Sequence, residues 1–398
     1  MPNRRCGSEK LDRFALDANA GEPAREEALE AFVRVAREAP GNPSSLHRNG
    51  RRAQGALEDA RERVGAALGA PAREIVFTSG ATEANNIALF GAARARSRLT
   101  GAAVPLVASL AEHASVVGPL RRLQQDGHSL ALAPLDAHAR PAAPALLALV
   151  AERRAQLVAL QWANNETGAV QPVEEFAAAL PDDVHWHCDA VQGFGKLPPA
   201  TALARADTLV LSGHKFGAPK GVGVLRRRED APLDPLMAGG GHQGGVRPGT
   251  ESPALATAFA VALELALAEQ PEWSEQAARA AAELLAALVA AGVSFQANHP
   301  AEPGGRLPNT LNLTFAGVDG RALLVACDAE GLSVASGSAC SSGAPEPSPI
   351  LRALGLTKEL AKSSLRLSFG RYPPPGLGAR AGERLAATVL RVYQAGFH

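Results

Sequence analysis

Cysteine is scarce in this sequence. The 398 residues contain four (Cys6, Cys188, Cys327 and Cys340), widely spaced and with no C-x-x-C pair. That spacing suggests neither a disulfide framework nor a zinc ribbon, and it leaves room for a thiol kept for its reactivity. Net charge is absent as well: 40 acidic and 40 basic residues balance, which argues against a strongly electrostatic partner such as bulk nucleic acid or an anionic membrane surface. Long uninterrupted apolar runs are missing. "ALLALVAERRAQLVAL" is broken by charge before it could span a bilayer, and the opening "MPNRRCGSEK" has no apolar core of signal-peptide length. No P-loop is present either. Neither "IVFTSGATEANNIALF" nor "GHKFGAPKG" has the required glycine spacing before a Lys followed by Ser or Thr, so a nucleoside triphosphate is not expected. These absences predict a soluble globular protein of the cytoplasm, with no membrane and no direct nucleic acid partner.

A chain of this length exceeds what one hydrophobic core usually supports, which predicts two domains and interior enough for a buried site. From about Glu74 to Val224, short β-rich runs such as "EIVFTS", "LVAL" and "TLVLSG" alternate with alanine- and leucine-rich helical stretches. The alternation predicts an α/β fold, a parallel sheet covered by helices. Around "LAEQPEWSEQ" a proline interrupts a long alanine-rich helical pattern, and beyond it "LPNTLNLTF" and "SSLRLSFG" read as strands. A domain boundary is therefore expected near Pro271, with a large domain over 16–270 and a smaller α+β domain from 1–15 and 271–398. In such sheets ligands collect beyond the carboxyl ends of the strands, and the polar motifs fall there.

Three of those motifs carry chemistry. "IVFTSGATEANNIALF" reads as a strand, a glycine turn and a helix starting near Ala81 or Thr82. The free amides and positive dipole end of that helix suit a phosphate, although ordinary capping by Ser79 or Thr82 accounts for these residues taken alone. "HWHCDAVQGFGK" puts His185 and His187 on one face of a strand; a closed zinc site would need further ligands and no second cluster is visible, so no metal is expected. Asp189, an acid at the end of a buried strand, is costly unless something cationic pairs with it, and a protonated pyridine nitrogen would serve. "LVLSGHKFGAPKGVG" then supplies Lys215, which in a desolvating pocket becomes an amine nucleophile able to form a Schiff base, with Ser212 and His214 just before it to hold a phosphate. Phosphate site, strand-end acid and lysine together point to pyridoxal 5'-phosphate.

Taken in order, "GNPSSLHRNGRRAQGALEDAR", "IVFTSGATEANN", "EHASVV", "NNETGAVQP", "HCDAVQGFGKLP", "SGHKFGAPKGVG", "GGGHQGGVRPGT", "SGSACSSGAPEPSPILRALGL" and "SSLRLSFGR" resemble the cysteine desulfurases, in the class V aminotransferase group of pyridoxal phosphate enzymes. The resemblance covers nearly the whole chain. It implies the pyridoxal-phosphate fold type I, with a mainly parallel seven-stranded sheet in the large domain, and a homodimer whose two chains share each site. It also implies roles: Lys215 is the Schiff-base lysine, Asp189 pairs with the pyridine nitrogen, and His113 stacks on the ring and moves a proton. Asn165 and Gln192 contact the ring's phenolic oxygen. The helix start at Ala81 and Thr82, with Ser212, His214 and Thr250 from the partner subunit, holds phosphate, while Arg366 binds the substrate carboxylate with a fork of two hydrogen bonds.

"SVASGSACSSGAPEPS" surrounds Cys340 with small residues and then prolines, as expected of a mobile exposed loop. Cys188 and Cys327 lie among apolar or strand-forming neighbours and fit inert buried thiols. The resemblance likewise implies that Cys340 is the catalytic cysteine. It takes sulfur from L-cysteine as a persulfide, L-alanine leaves, and the sulfur passes to an acceptor such as an iron-sulfur scaffold or a thiolation relay. A selenocysteine lyase or an aminotransferase would keep Lys215 and Asp189 without depending on Cys340, and a non-catalytic scaffold of the same fold is the other alternative. Two departures stand out. Relatives usually show Asp-Asn-x-Ala-Thr-Thr near the N-terminus, whereas "LDANAGEP" has Gly21 and Glu22 in place of both threonines; and Gln243 stands where many relatives carry Glu.

Overall fold

The structure, a computed structural model, describes residues 13–336 and 347–396. They group into two compact units, one comprising Asn19–Glu275 and His299–Pro308, the other the described residues up to Ala18, Gln276–Asn298 and those from Asn309 onward. Strand β1 (Phe14–Ala15) belongs to the smaller unit.

In the larger unit, α1 (Glu26–Glu38) and α2 (Arg48–Leu68) precede a seven-stranded sheet of β2 (Ile75–Thr78), β3 (Leu106–Ser109), β4 (Leu130–Ala133), β5 (Leu157–Ala159), β6 (His185–Asp189), β7 (Thr208–Ser212) and β8 (Gly223–Arg227). Their order is β2-β8-β7-β6-β5-β3-β4. Only β8 runs against its neighbours. The helices between strands are α3 (Ala81–Thr100), α4 (Ala114–Gln125), α5 (Ala143–Arg153) and α6 (Val173–Ala179). Most strands are buried at every position rather than at alternate ones, as expected where helices cover both faces of a parallel sheet. Helix α3 lays Ala84, Ile87 and Ala88 against Val76, Val210 and Leu225 of β2, β7 and β8. Because α3 follows β2 after only Ser79 and Gly80, it starts at the edge of the sheet where β2 ends.

Helix α7 (Pro253–Ala290) corrects one expectation. It runs through Pro271 without a break, and the division between units falls after Glu275. A proline forfeits one hydrogen bond, but the Ala-, Leu- and Glu-rich flanks favour helix strongly on both sides. By length and composition α7 could cross a membrane, yet 61% of its most apolar window is buried within the protein.

In the smaller unit, β1 pairs in parallel with β11 (Leu332–Ser333). A four-stranded antiparallel sheet has the order β12-β13-β10-β9, from β9 (Gln296–Ala297), β10 (Thr310–Thr314), β12 (Ala335–Ser336) and β13 (Ser364–Ser368). Its core joins Leu311, Leu313, Leu365 and Leu367 to Leu323 of α8 (Gly320–Ala329) and Leu385 of α9 (Leu377–Gln394).

Candidate active site

In the larger unit the predicted residues other than Thr250 gather beyond the carboxyl ends of β2, β3, β5, β6 and β7. Because these strands are parallel to one another across the sheet, each ends at the same edge, and the chain that follows each one contributes a group.

Asp189 ends β6 and is buried. Its Oδ2 accepts from Asn85 Nδ2 at 2.8 Å and its Oδ1 from Val191 N at 3.1 Å. Among the described residues no cationic side chain pairs with it. Asn85 reaches further: its Nδ2 also donates to Ser115 Oγ at 2.9 Å, and Ser115 Oγ lies 2.8 Å from His113 Nδ1. His113 caps α4, where its Nδ1 accepts from Ser115 N at 3.1 Å. With Nδ1 accepting, the neutral ring carries its proton on Nε2. The pKa directions agree: burial lowers His113 first, with Asp189 raising it and Lys215 lowering it.

The paired histidines of β6 are links in the same network. His187 Nε2 meets Asn85 Oδ1 at 3.0 Å, and its Nδ1 meets Thr208 Oγ1 at 3.0 Å, which also meets His185 Nε2 at 3.0 Å. Burial lowers His187 to about 3 and holds His185 well below its ordinary value. Both rings are neutral and serve to orient Asn85.

Lys215 follows β7 in a short helical turn (Gly213–Lys215). Its Nζ donates to the carbonyls of Asn19 at 2.6 Å and Ala20 at 3.1 Å. Asn19 is a junction. Its carbonyl also accepts from Gln192 Nε2 at 3.1 Å, its Oδ1 accepts from the buried Lys196 Nζ at 2.9 Å, and its Nδ2 donates to the Asn165 carbonyl at 3.1 Å. Lys196 Nζ in turn donates to Gln192 Oε1 at 2.6 Å. The segment after Asn19 runs beside the lysine turn, with Glu22 N donating to His214 O and Arg25 N to Gly217 O, both at 2.8 Å. The replaced residues Gly21 and Glu22 therefore line the lysine turn.

At the start of α3 the cap is Gly80, with φ 156° and no side-chain cap. Capping by Ser79 or Thr82 is not what the structure adopts, and the first-turn amides of α3 keep no intrahelical partner. Gly223 permits this turn. A Cβ there would fall 2.7 Å from Gly80 Cα, and one on Gly80 would stand 4.0 Å from Ser212 Oγ. Ser212 Oγ lies 3.0 Å from His214 Nδ1, and burial, followed by the charges of Lys215, Lys220 and Lys196, lowers His214 to about 4. These residues fit pyridoxal 5'-phosphate: an uncapped helix start beside a hydroxyl and a neutral imidazole for its phosphate, and a buried anion without a cation for its ring nitrogen.

Thr250 is exposed in the larger unit, beyond the turn Gln243–Gly245. Gln243 Oε1 accepts from Phe77 N at 2.7 Å and Arg61 Nη1 at 2.9 Å, while its Nε2 donates to Glu251 Oε1 at 3.0 Å. Arg366 lies on β13 of the smaller unit, buried and ion-paired with Asp17. Cys340 lies outside the described residues. Burial pushes the Cys188 thiol well up and Cys327 up to about 12, so both stay protonated.

Sequence reading missed Asn85, Ser115, Asn19 and Lys196. The first sits in a quoted motif, "ATEANN", where its amide had no evident partner.

The class-V aminotransferase family model matches residues 14–374. Cysteine desulfurase IscS of Dictyoglomus turgidum is 36% identical over 358 residues, 90% of this chain and 89% of that protein. A putative cysteine desulfurase, IscS 1 of Bacillus subtilis, is 37% identical over 384 residues, 96% of this chain and 100% of its own. Among solved structures, a NifS-like protein matches with a TM-score of 0.84 and 29% identity, covering 96% of this chain and 99% of that one. DndA from Streptomyces lividans matches with a TM-score of 0.74 and 36% identity, covering 89% and 99%. The chain belongs to the class-V aminotransferase family and, within it, to the pyridoxal-phosphate-dependent cysteine desulfurases.

Proposed function

We propose that the protein is a cysteine desulfurase that moves sulfur from L-cysteine to the Cys340 thiol, releases L-alanine and passes the sulfur to an iron-sulfur scaffold, working as a cytoplasmic homodimer. The observation that carries this reading is the hydrogen-bonded line from Asp189 through Asn85 and Ser115 to His113, with Lys215 at the end of the adjacent strand. Pyridoxal 5'-phosphate, when bound, supplies an aldehyde for amines and a ring that takes up electrons from the substrate α-carbon.

The chain's own groups divide the remaining work. Asp189 keeps a proton on the ring nitrogen by pairing with its charge. Lys215 is an amine in a half-buried turn, suited to take the α-proton once the substrate amine has replaced it. His113 offers a proton from Nε2 because Nδ1 is tied to Ser115. The Cys340 thiolate attacks the substrate sulfur; an S–S bond forms as the C–S bond breaks, and the carbon keeps the electron pair and takes protons to become the methyl of L-alanine. Sulfur is oxidised and carbon reduced by the same pair, so no outside oxidant is needed. Arg366, by the resemblance, binds the substrate carboxylate, and Thr250 is given to the partner's phosphate.

Incubating the holoenzyme and Lys215→Ala with L-cysteine and a reducing acceptor tests the reading. L-alanine from the native protein alone supports it. Equal release by the variant, or none from a native protein that has bound its cofactor, refutes it.

A further inference from the structure

Glu112 is a buried acid with no part in the chemistry above, 4% exposed, next to His113 in the turn between β3 and α4. Its Oε1 accepts from Gln161 N at 2.8 Å, whereas its Oε2 is buried without a hydrogen-bond partner. Around it the turn is stitched to the chain leaving β5. The Ala111 carbonyl accepts from Asn164 Nδ2 at 2.9 Å and from Gln161 Nε2, and Trp162 N donates to the Asp189 carbonyl at 2.9 Å. The clasp thus lies behind three cofactor residues at once: His113 on one side, Asn165 on the next and Asp189 beneath.

The groups facing this carboxyl supply no positive charge. Asp189 acts on it from β6 as an anion, and the neighbouring Cys188 is a neutral thiol. His113, on its own turn, is a neutral imidazole bonded to Ser115. The chain after β5 offers Glu112 one main-chain N–H. A second buried anion beside Asp189, with one donor and no cation, is far costlier than a neutral acid with one unmet polar atom.

We propose that Glu112 is a positioning residue held neutral: its oxygen clasps the turn that carries His113 to the segment that carries Asn165, and its missing charge leaves Asp189 free to pair with the cofactor ring. Burial accordingly pushes the Glu112 carboxyl up to about 8, the Gln161 N–H drawing it down and the Asp189 charge pushing it further up. The inference rests on the cofactor reading of the site but not on which substrate is turned over.

Glu112→Gln keeps the acceptor and the neutrality, while Glu112→Ala keeps the neutrality and removes the acceptor. Each is compared with the native holoenzyme in cofactor affinity, in the pH titration of the lysine-bound cofactor's absorption, and in melting temperature from pH 5 to 9. Glu112→Gln should hold cofactor affinity within about twofold and abolish the fall in melting temperature above about pH 6.5 that the native acid causes. Glu112→Ala should weaken cofactor binding about tenfold, because Gln161 N is left unsatisfied. Loss of affinity in the Gln variant equal to that in the Ala variant, or an unchanged pH dependence of both spectrum and melting in Glu112→Gln, overturns the proposal. A native protein that gives these spectral results yet forms no alanine refutes desulfuration and leaves the role of Glu112 standing.

Discussion

The Asn85 amide donates to Asp189 Oδ2 at 2.8 Å, and this one contact couples the ring-nitrogen partner to helix α3. The same amide nitrogen reaches Ser115, and its oxygen meets His187. Asn85 thus orients an anion, a proton donor and a helix start together. Its position on the first turns of α3 also joins the phosphate end of the site to the ring end.

Replacing Asn85 by Ala should therefore weaken cofactor binding about tenfold and destabilise the fold by ~1–3 kcal/mol, since buried groups lose their partners. Equilibrium titration of the apoprotein with cofactor and a denaturant melt measure the two effects. An affinity within twofold of native would show that Asp189 does not depend on this contact.

Gly223→Ala tests the phosphate turn from the other side. The new Cβ would meet Gly80 Cα at 2.7 Å, between two main chains that have little room to move. A loss of ~1–3 kcal/mol is expected, together with weaker cofactor binding. Gly118→Ala on α4 is the control, because nothing lies within 4 Å of its Cβ position. It should stabilise by ~0.5–1 kcal/mol without touching affinity.

Gln243→Glu introduces the acid that the sequence resemblance implies at this position, but here it would set a carboxylate against Glu251, which now accepts from Gln243 Nε2 at 3.0 Å. A cost of ~1–3 kcal/mol is expected, and Glu251→Gln in the same chain should recover most of it. Additive effects in the double-mutant cycle would mean that the two side chains do not couple.

Stability should fall on both sides of a maximum near pH 6.5. Burial lowers His187 to about 3 and His214 and His299 to about 4, against an ordinary value of 6.5, so their folded forms bind fewer protons than the unfolded chain. Their contribution is complete above 6.5 and is lost as pH falls toward 4. Glu112 has the opposite sign: raised from 4.5 to about 8, it contributes fully below 4.5 and loses its contribution as pH rises through 8. Below 6.5 the three histidines outweigh the single acid. Melting temperatures of the apoprotein across pH 4–9 test this, and His187→Gln should soften the acid limb.

Much of the site was legible from sequence because its residues stand just past strands, where hydrophobic runs give way to polar groups: Asp189 after "HWHC", and Ser212 to Lys215 after "TLVL". The supporting shell was not. Asn19 meets Asn165 and Lys215 across 146 and 196 residues, and no local pattern encodes such pairs. For His185 and His187 the spacing shows only their shared face, whereas the hydroxyl of Thr208 that engages both arrives from another strand. The Gly80 cap was hidden for a backbone reason, since a φ of 156° is a property of glycine that composition does not declare. Pro271 misled in the other direction, as a strong local breaker overridden by its helical flanks.

The most direct test of the account is the amount of L-alanine formed from L-cysteine, read together with the mass of the protein chain, for the native holoenzyme and Cys340→Ala. The account predicts alanine and one added sulfur atom on Cys340 in the native protein, and neither in the variant. Undiminished alanine from Cys340→Ala would contradict it.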